Sequence, residues 1–586
     1  MKIPSSKLGL FGFISLVVCA VLPSLALAQR STDFALLDQH GVFHQLSRYG
    51  ESEAVVLFVQ GNGEESSRQA LSQLQALQER YKEQGVIVLL LNPNPTQTRT
   101  SVLQEMASVG VELPVLLDSA QVVARSLKVE ATAEAFILDP KSHDVLYRGP
   151  LDNQIAIANA DPAQRIPYLE NALVAILAGR ELEVVSDLPV PVGTPIDYIY
   201  RSRFGDRQIS YQDEIVPILK RRCTTCHIED GLAPWAMVSH RMVQGWSPMI
   251  REVLVTHRMP PGQIDMLEGE WDNVHQISDD ELITLVHWID SGARSEGDAD
   301  PLQEQVAIDD SWKLGEPDLI IEVPAETIPA TGMVDFKIKR ADLALEKDQW
   351  ISAVAYNVGD KTVLHSLLVF AVDPSIDQKD FAGLIDPKNA EFISLYVPPR
   401  TEEAFDADSG FLLRQDRDLS FKLRYVTGGR ETVDKTRIGL YFRDSTPQYA
   451  VHNVITLNPQ FSLAPGEDNH VERAETAAFE HDVLVESFAP QAHTRGKSMS
   501  ISARYPDGKE KRLINIANYN FNWQMNYKLK ERLRLPAGSR LVAETLYDNS
   551  ASNPQNVDPE AQVKVGITTY DEIFSHFVRV LEPVER

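Results

Sequence analysis

Cysteine is nearly absent from this chain of 586 residues, which contains only three. Cys19 lies in the N-terminal segment, and Cys223 and Cys226 are the other two. A protein with so few thiols cannot be a disulfide scaffold, even in an oxidising compartment. The same scarcity argues against a zinc finger, because no second Cys or His pair follows Cys226 at the required spacing.

Positive charge is also in short supply. The chain has 56 Lys and Arg residues against 83 Asp and Glu residues, which gives a formal net charge of −27. This balance argues against nucleic acid and anionic lipid as partners, because both are themselves negatively charged. A basic protein partner is compatible with it.

Long apolar runs are missing beyond the N-terminus. Residues 1–28 contain basic Lys2 and Lys7, an apolar run over residues 8–22, and a small-residue cleavage pattern that ends at Ala28. These features predict a signal peptide cleaved after Ala28. No later stretch is apolar for long enough to cross a bilayer. We therefore predict a periplasmic or secreted protein without a transmembrane segment.

The remaining sequence changes its hydrophobic pattern twice. Strand-like and helix-like segments alternate at first, helical spacing follows, and short alternating runs separated by Gly, Pro, Asn and Asp come last. These patterns predict an α/β domain, a helical domain and an all-β region that forms a sandwich or a pair of sandwiches. We expect the following order: α/β domain 30–186, linker 187–207, helical domain 208–297, linker 298–311, first sandwich 312–445 and second sandwich 446–586.

The two remaining cysteines stand in the sequence CTTCH, which ends with His227. C-x-x-C-H is the attachment signature of c-type haem. Two thiols on one helical turn can each bond to a haem vinyl group, and the adjacent imidazole can bind the iron. A thioredoxin-type C-x-x-C lies after a strand, whereas this one follows the helix-like run YQDEIVPILKRR. We predict one haem c, covalently bound through Cys223 and Cys226, with His227 as an axial ligand.

The second axial ligand is expected in the downstream sequence HRMPPGQ. Met259 is followed by Pro260 and Pro261, which favour an extended turn that can present a thioether. Methionine ligation raises the reduction potential and suits electron transfer. His257 is the rival ligand and His240 a weaker one. With both axial positions filled, the iron would transfer electrons and would not bind oxygen.

Seven stretches carry a family resemblance: CTTCH, HRMPP, WKLGEPDLIIEVP, TRIGLYF, RGKSMSISARYPDG, NFNWQ and YDNSASNP. In this order they resemble a bacterial architecture of a redoxin-like domain, a cytochrome c domain and a copper type II, ascorbate-dependent monooxygenase-like region. The last belongs to the family of peptidylglycine alpha-hydroxylating monooxygenase. The resemblance implies a thioredoxin-like α/β domain, an all-α cytochrome c domain, and two jelly-roll-like β-sandwiches that each hold one copper.

The first implied copper site is incomplete in this sequence. The family uses an adjacent pair of histidines and a third histidine. Leu364 stands in the first position of the pair, and only His365 remains. Arg424 occupies the position of the third histidine. Type II copper requires imidazole nitrogens, and a guanidinium would repel the metal.

The second implied copper site is incomplete as well. Its His-x-His pair reads Gln491 and His493, and Ile573 or Phe574 stands where methionine is expected. His576 could form a substitute pair with His493, or both could be buried histidines held by hydrogen bonds. His365 and His493 are therefore residual copper positions. The missing ligands argue against bound copper and against oxygen activation.

The redoxin-like domain lacks the reactive groups that the resemblance implies. Glu64 stands about where the family has its reactive cysteine, and Ala133 stands at the position of the family's cis-proline. Thr194 corresponds to a later family cysteine. Thiol–disulfide chemistry requires a thiolate, and this domain has none.

These features predict an exported electron carrier with one haem, whose redoxin-like and monooxygenase-like regions serve as docking or structural modules. Its partner would be an electron donor or acceptor protein. The alternative is a copper-dependent monooxygenase that receives electrons from the haem domain. A third possibility is a scaffold protein in which the haem is structural.

Overall fold

The computed structural model describes most of the chain after the predicted signal peptide. The described residues are 31–156, 164–180, 193–229, 233–262, 264–297, 299–303, 311–377, 388–398, 400–566, 568 and 570–584. The predicted signal peptide and parts of both predicted linkers lie outside these ranges. Within the described residues, no helix combines the length and the apolar character needed to span a membrane.

The N-terminal domain has the predicted α/β architecture. A small ladder pairs β1 (Ala35–Leu37) with β2 (Phe43–Gln45). The main sheet contains β3 (Ala54–Val59), β4 (Val86–Asn92), β5 (Val115–Leu117), β6 (Glu134–Leu138) and β7 (Val145–Pro150). The helices are α1 (Glu65–Tyr81), α2 (Arg99–Val109), α3 (Val122–Ser126), α4 (Asn153–Ala156) and α5 (Tyr168–Leu177).

The strand order of this sheet is β5-β4-β3-β6-β7. The first three strands are mutually parallel, and β6 and β7 are antiparallel to their neighbours. Every residue of β3 is buried, because this central strand is covered on both faces. That double coverage explains why the sequence shows continuous apolar runs here instead of alternation.

The middle of the chain is helical. It contains α6 (Ile199–Phe204), α7 (Val216–Arg222), α8 (His240–Val255) and α9 (Asp279–Asp290), with a π-helical turn at Tyr211–Ile215 before α7. A capping box begins α9, as the spacing of Ser278 and Glu281 favours. Ser278 Oγ accepts from Glu281 N at 3.3 Å, and Glu281 Oε2 accepts from Ser278 N at 2.9 Å.

Helix α6 lies within the segment predicted as a linker. Tyr198 and Phe204 at its ends are 4% exposed, and the Tyr198 hydroxyl donates to Val129 O at 2.7 Å. One apolar cluster includes Leu57 of β3, Phe204 and Trp288 of α9. The helices and the α/β sheet therefore share a buried core, and α6 belongs to it.

The remainder of the chain is β-rich, as predicted. Its first half contains β8 (Leu319–Glu322), β9 (Glu326–Ile328), β10 (Lys337–Ala341), β11 (Gln349–Asn357), β12 (Leu364–Val372), β13 (Ala390–Tyr396), β14 (Glu402–Ala404), β15 (Ser409–Leu413), β16 (Asp418–Tyr425), β17 (Thr432–Asp434) and β18 (Arg437–Phe442). Its second half contains β19 (Tyr449–Leu457), β20 (Ser462–Leu463), β21 (His470–Glu475), β22 (Val483–Gln491), β23 (Gly496–Arg504), β24 (Glu510–Ile516), β25 (Tyr527–Leu535), β26 (Arg540–Tyr547), β27 (Val563–Lys564) and β28 (Ser575–Pro583).

A single large sheet passes through both halves. Its strands follow the order β25-β22-β28-β19-β15-β11-β18-β8, and β14 pairs with β11. The link between the halves is the parallel pairing of β15 with β19, where Ser409 faces Tyr449 and Gly410 faces Ala450. Separate four-stranded sheets, β10-β16-β12-β13 and β21-β26-β23-β24, accompany the two halves.

A buried ion pair also joins the two halves. Arg579 Nη1 lies 2.8 Å from Glu403 Oε1, with side-chain exposures of 4% and 8%. Breaking a pair this deeply buried would leave an uncompensated charge in the interior. The β-rich region is therefore fixed by charge as well as by backbone pairing.

Candidate functional site

The cysteine turn, residues 223–227, continues directly from α7. Cys223 ends the helix, and its N–H donates to Leu219 O at 2.8 Å. The N–H groups of Cys226 and His227 both donate to Cys223 O at 3.1 Å. These bonds wind both cysteines and the histidine onto one compact turn, as the sequence predicts for residues three apart in a helical geometry.

His227 is oriented by a backbone carbonyl. Its Nδ1 donates to Trp235 O at 2.9 Å, which leaves Nε2 as the ring nitrogen available to a ligand. His227 O accepts from Met237 N at 2.9 Å. A hydrogen bond from the second ring nitrogen is the usual way in which proteins fix a metal-binding histidine. The arrangement therefore suits an axial ligand.

The environment of the two cysteines is apolar. Both are free thiols of intermediate exposure, and Cys223 packs against the helical core. Burial raises the pKa of the Cys223 thiol to about 12, and it also raises the pKa of Cys226. Redox-active thiols in C-x-x-C sites have lowered pKa values, since the thiolate is the reacting species. These thiols do not have that electrostatic environment.

An apolar surface extends from the histidine. The rings of His227 and Trp235 lie 4.9 Å apart, and Trp235 stacks on Trp246 of α8 at 5.4 Å. Met242, Trp246 and Met249 follow one face of α8 and are 37%, 38% and 48% exposed. Large exposed apolar side chains on one helical face indicate a surface that binds an apolar group.

The candidates for the second axial ligand differ in their contacts. His240 is already engaged, because its Nε2 donates to Ala293 O at 2.7 Å and its ring contacts Tyr211 at 4.7 Å. Met259 and His257 both follow the end of α8, and both are partly exposed. These contacts of His240 argue against it as the second axial ligand.

A small cavity brings the cysteine turn to the β-rich region. Cys226, Pro260 and Pro261 line it together with His275 and His365. The cavity places the two prolines after Met259 beside Cys226. It also places a residual copper position there. The sequence contains no signal for this second proximity, because His365 lies on β12, far from Cys226 along the chain.

Arg424 occupies the space beside His365. Its Nη1 lies 3.4 Å from His365 Nδ1 and donates to Phe521 O at 2.7 Å. Its Nη2 donates to Asn522 Oδ1 at 3.1 Å, and the guanidinium covers the Phe521 ring at 3.5 Å. Arg424 therefore anchors the short helix Phe521–Trp523, which contributes Asn522 and Trp523 to the cavity beside Cys226.

His365 is held neutral by this environment. Burial, and after it the charge of Arg424, lower the pKa of His365 to about 3, although an interaction with the Asn522 backbone acts in the opposite direction. The Arg424 guanidinium therefore stands beside the Nδ1 atom of this ring. A copper ion needs imidazole lone pairs and no adjacent guanidinium. The residues present do not fit copper at this position.

His493 lies at a different place in the β-rich region. Its Nδ1 donates to Asp571 O at 2.9 Å, and its ring stacks on Phe336 at 5.1 Å. Its Nε2 is buried without a hydrogen-bond partner among the described residues. Burial lowers its pKa to about 3, and the charge of Lys422 contributes. The second implied copper site thus retains one imidazole beside a cation.

The other residues of that implied site do not complete it. His576 Nε2 contacts Thr545 Oγ1 at 2.9 Å, and its ring meets Phe574 edge-on at 4.5 Å. Gln491 and Ile573 are 4% exposed. No group of three or more His, Cys, Asp and Glu side chains suited to a metal is found in the described part of the chain. The donor chemistry around His493 does not fit copper either.

The position of Glu64 in the α/β domain is filled by a hydrogen-bond network. Glu64 precedes α1, and its Oε2 accepts from the Thr132 hydroxyl. Thr132 Oγ1 accepts from Thr194 N at 2.8 Å, and Thr132 N donates to Thr194 O at 2.9 Å. Ala133 has a positive φ of 64°. The three predicted positions therefore lie close together, without a reactive group.

Comparison with known proteins identifies this part of the chain. Residues 27–144 match the AhpC/TSA family. This segment is a redoxin domain of thioredoxin-like fold. It contains no cysteine, since Cys19, Cys223 and Cys226 all lie outside it. No curated protein matches the chain.

Several solved structures are also similar to the chain. A hypothetical protein from Sinorhizobium meliloti 1021 is 26% identical, with 30% of this chain and 94% of its own covered and a TM-score of 0.26. A protein from Chlorobium tepidum described as the thiol:disulfide interchange protein DsbE is 23% identical, with 26% and 96% covered and a TM-score of 0.22. Peroxidoxin BcpB from Mycobacterium tuberculosis is 17% identical, with 26% and 97% covered and a TM-score of 0.21.

Sequence reasoning missed three contributors to the site. Trp235 orients His227 through a carbonyl, which any residue could supply and which therefore leaves no sequence signal. His275 and Trp523 line the cavity beside Cys226. The stretch NFNWQ, which contains Trp523, contributes to the family resemblance, and this could have drawn attention to it.

Proposed function

We propose that the chain is an exported electron carrier with one haem c. Cys223 and Cys226 would form the thioether bonds, His227 would bind the iron, and Met259 would be the second axial ligand. The observation that carries the proposal is the cysteine turn, on which His227 Nδ1 is engaged with Trp235 O and Nε2 is left for a metal.

The residues around the turn fit such a group. The two thiols lie in an apolar setting, and the aromatic surface of Trp235 and Trp246 continues from His227. When bound, a haem with two axial protein ligands supplies reversible one-electron chemistry. The chain would attach the group through Cys223 and Cys226, and Trp235 O orients the His227 ring.

The two outer regions would act as docking and structural modules. The redoxin domain has no thiol, and a hydrogen-bond network fills the Glu64 position. Arg424 occupies the place of a copper ligand and anchors Phe521 and Asn522. These contacts argue against the alternative of a copper-dependent monooxygenase, for which two bound coppers and reductant-dependent oxygen uptake would be required.

The partner would be an electron donor or acceptor protein, and the net charge of −27 favours a basic one. The proposed location, periplasmic or secreted, rests on the sequence of residues 1–28. Weakening of the interaction at high salt would support this kind of partner, because exposed charges are screened.

The main experiment produces the full chain in a host with a cytochrome c maturation system. A pyridine haemochrome spectrum and a haem stain after denaturing electrophoresis then report covalent haem. We expect one haem per chain, and none in a Cys223→Ser, Cys226→Ser double variant. Wild-type protein without covalent haem would refute the proposal.

A second experiment tests the axial methionine. Met259→Leu should remove the methionine-to-iron charge-transfer band of the oxidised protein and lower the reduction potential, because methionine ligation raises it. Met333→Leu is the matched control, since Met333 is 50% exposed between β9 and β10 of the β-rich region. If His257→Ala removes the native ligation instead, His257 is the ligand.

A further inference from the structure

The residues that follow Met259 are bound on two sides. We call residues 259–262 and 264–273 the ligand arm; Gln263 lies outside the described residues. At its start, Met259 N donates to Val253 O of α8 at 3.2 Å. Ile264 and Asp265 further along are 3% and 1% exposed. The arm is therefore buried at Ile264 and Asp265, whereas Met266 and Leu267 directly after them are 43% and 64% exposed.

The redoxin domain contacts the arm through Arg99, the first residue of α2. Arg99 Nη1 lies 2.6 Å from Asp265 Oδ2, with side-chain exposures of 12% and 1%. The same nitrogen lies 3.6 Å from Glu268 Oε1. A charge pair shielded from water in this way is much more sensitive to loss of one partner than an exposed pair.

The β-rich region holds the arm from the other side. Arg512 Nη2 donates to Glu268 Oε1 at 2.6 Å, and Asp265 N donates to Asn515 O at 2.8 Å. Arg512 and Asn515 also reach the redoxin domain, where they donate to His40 O at 3.0 Å and Gly41 O at 2.9 Å. Three regions of the chain therefore meet at Asp265 and Glu268.

The end of the arm joins the β-rich region as an additional strand-like segment. Trp271 forms an antiparallel bridge with Leu529, and Asp272 N donates to Lys528 O at 3.0 Å. Trp271 packs against Phe488 at 5.9 Å. The arm is thus fixed at its end as well as at Asp265.

We propose that the redoxin domain, which lacks a thiol, is a positioning clamp for the axial-ligand arm. Arg99 would act through Asp265 on Met259, which makes Arg99 a positioning residue. This inference rests on the proposed function, because it assigns the arm to an axial ligand. The redoxin domain would then influence the reduction potential without carrying a redox group.

The short distance along the chain supports this role. Met259 and Asp265 are six residues apart, and two of the intervening residues are Pro260 and Pro261, whose φ angles are fixed. Gly262 has a φ of 69°, and a Cβ at this position would clash with Met525 Sδ. The fixed φ angles restrict the backbone at Pro260 and Pro261, and we expect displacement of Asp265 to be transmitted along this short connection to Met259.

The test uses the full-length, haem-loaded protein and the variant Arg99→Ala. Amide hydrogen exchange reports the arm itself, and we expect roughly tenfold faster exchange over residues 264–273, because a local clamp has been removed. The methionine-to-iron band should weaken and the reduction potential should fall. Arg99→Lys, which keeps the charge, should restore part of each signal.

Arg68→Ala is the matched control. Arg68 pairs with Glu105 of α2 at 2.7 Å, so this variant also removes an arginine that bonds across the redoxin domain, but one that does not touch the arm. Asp265→Asn tests the same pair from its other side and serves if Arg99→Ala does not fold.

The outcomes separate the two proposals. Absence of covalent haem in the wild-type protein would refute the proposed function, and hydrogen exchange would still report whether Arg99 holds the arm. Covalent haem with unchanged exchange, band and potential in Arg99→Ala and Asp265→Asn would overturn the clamp alone. Faster exchange with an unchanged band and potential would also overturn the positioning role, because the arm would move without affecting the iron.

Discussion

The cysteine turn and the Arg424 position differ in how their polar groups are used. Arg424 donates to Phe521 O and Asn522 Oδ1 and covers the Phe521 ring. Both of its terminal guanidinium nitrogens are therefore engaged by groups of the protein. In the cysteine turn, the thiols of Cys223 and Cys226 are free and His227 is engaged through Nδ1. The contrast indicates that a site can bind or react only where its reactive atoms are not engaged by other protein groups, whichever fold surrounds it.

Glu64 extends the comparison to the redoxin domain. Its carboxylate accepts from the Thr132 hydroxyl, which in turn accepts from Thr194 N. The hydrogen bonds of this site also stay within the protein. The sites at Glu64 and Arg424 are therefore filled by structural hydrogen bonds, unlike the cysteine turn. We expect variants at these three sites to differ in the property that they change and in the size of the effect.

The largest effect is expected at His227. His227→Ala should abolish the low-spin spectrum of the haem-loaded protein, because it removes the proposed axial ligand, whose ring is held by Trp235 O. Absorption spectra of the oxidised and reduced protein provide the measurement. His481→Ala, at an exposed position, should leave the spectrum unchanged. A low-spin spectrum in His227→Ala would place the axial ligand elsewhere.

The next largest effect concerns pH and His493. The folded chain keeps this ring neutral down to a pKa of about 3, whereas the ordinary value is 6.5. Between these values unfolding takes up a proton, so stability should fall as the pH is lowered from 6.5 toward 3. His493→Asn should reduce the slope of the free energy of unfolding against pH by about 1.4 kcal/mol per pH unit in this range.

Urea unfolding at a series of pH values measures this difference. His452→Asn is the control, because His452 is exposed and should leave the slope unchanged. Identical slopes for wild type and His493→Asn would contradict a buried neutral imidazole at this position.

Arg424→Ala should have a moderate effect. The variant loses two hydrogen bonds from a charged donor and the contact with the Phe521 ring, and we expect a loss of about 2 kcal/mol in the free energy of unfolding. Arg430→Ala removes an exposed pair with Asp360 and should cost less than about 0.5 kcal/mol. Chemical denaturation measures the free energy of unfolding of both variants. Equal losses in Arg424→Ala and Arg430→Ala would show that Arg424 does not anchor the short helix Phe521–Trp523.

The smallest effect is expected at Glu64. Glu64→Gln keeps an acceptor for the Thr132 hydroxyl but removes the charge, so we expect a loss of about 1 kcal/mol or less. Glu65→Gln, in the first turn of α1, is the neighbouring control. Thermal unfolding of both variants provides the comparison. A loss several times larger would indicate that the Glu64 network supports more than its own loop.

Local patterns in the sequence predict local features well. The strands β3 and β4 follow from apolar runs, and the capping box at Ser278 follows from a four-residue pattern, because neighbouring residues determine these structures. The cysteine turn is predictable for the same reason, since Cys223, Cys226 and His227 form one short stretch.

Contacts between distant segments were not predictable. Arg424 meets Phe521 across 97 residues, and Arg99 meets Asp265 across 166 residues. No periodicity or motif encodes such pairs, because each depends on how complete elements pack. The segment 187–207 illustrates the same limit: its proline-rich start suggests a linker, but Phe204 is buried in a core that the neighbouring elements create.

The parallel pairing of β15 with β19 has a mechanical consequence. This pairing joins the two β halves in one sheet, and the buried Arg579–Glu403 ion pair connects them in the interior. Rotation of one half relative to the other would break the backbone pairing between β15 and β19. It would also leave a buried charge without its partner. We therefore expect the two β halves to move as one rigid body. A partner protein bound to the second half would then displace the wall of the cavity beside Cys226.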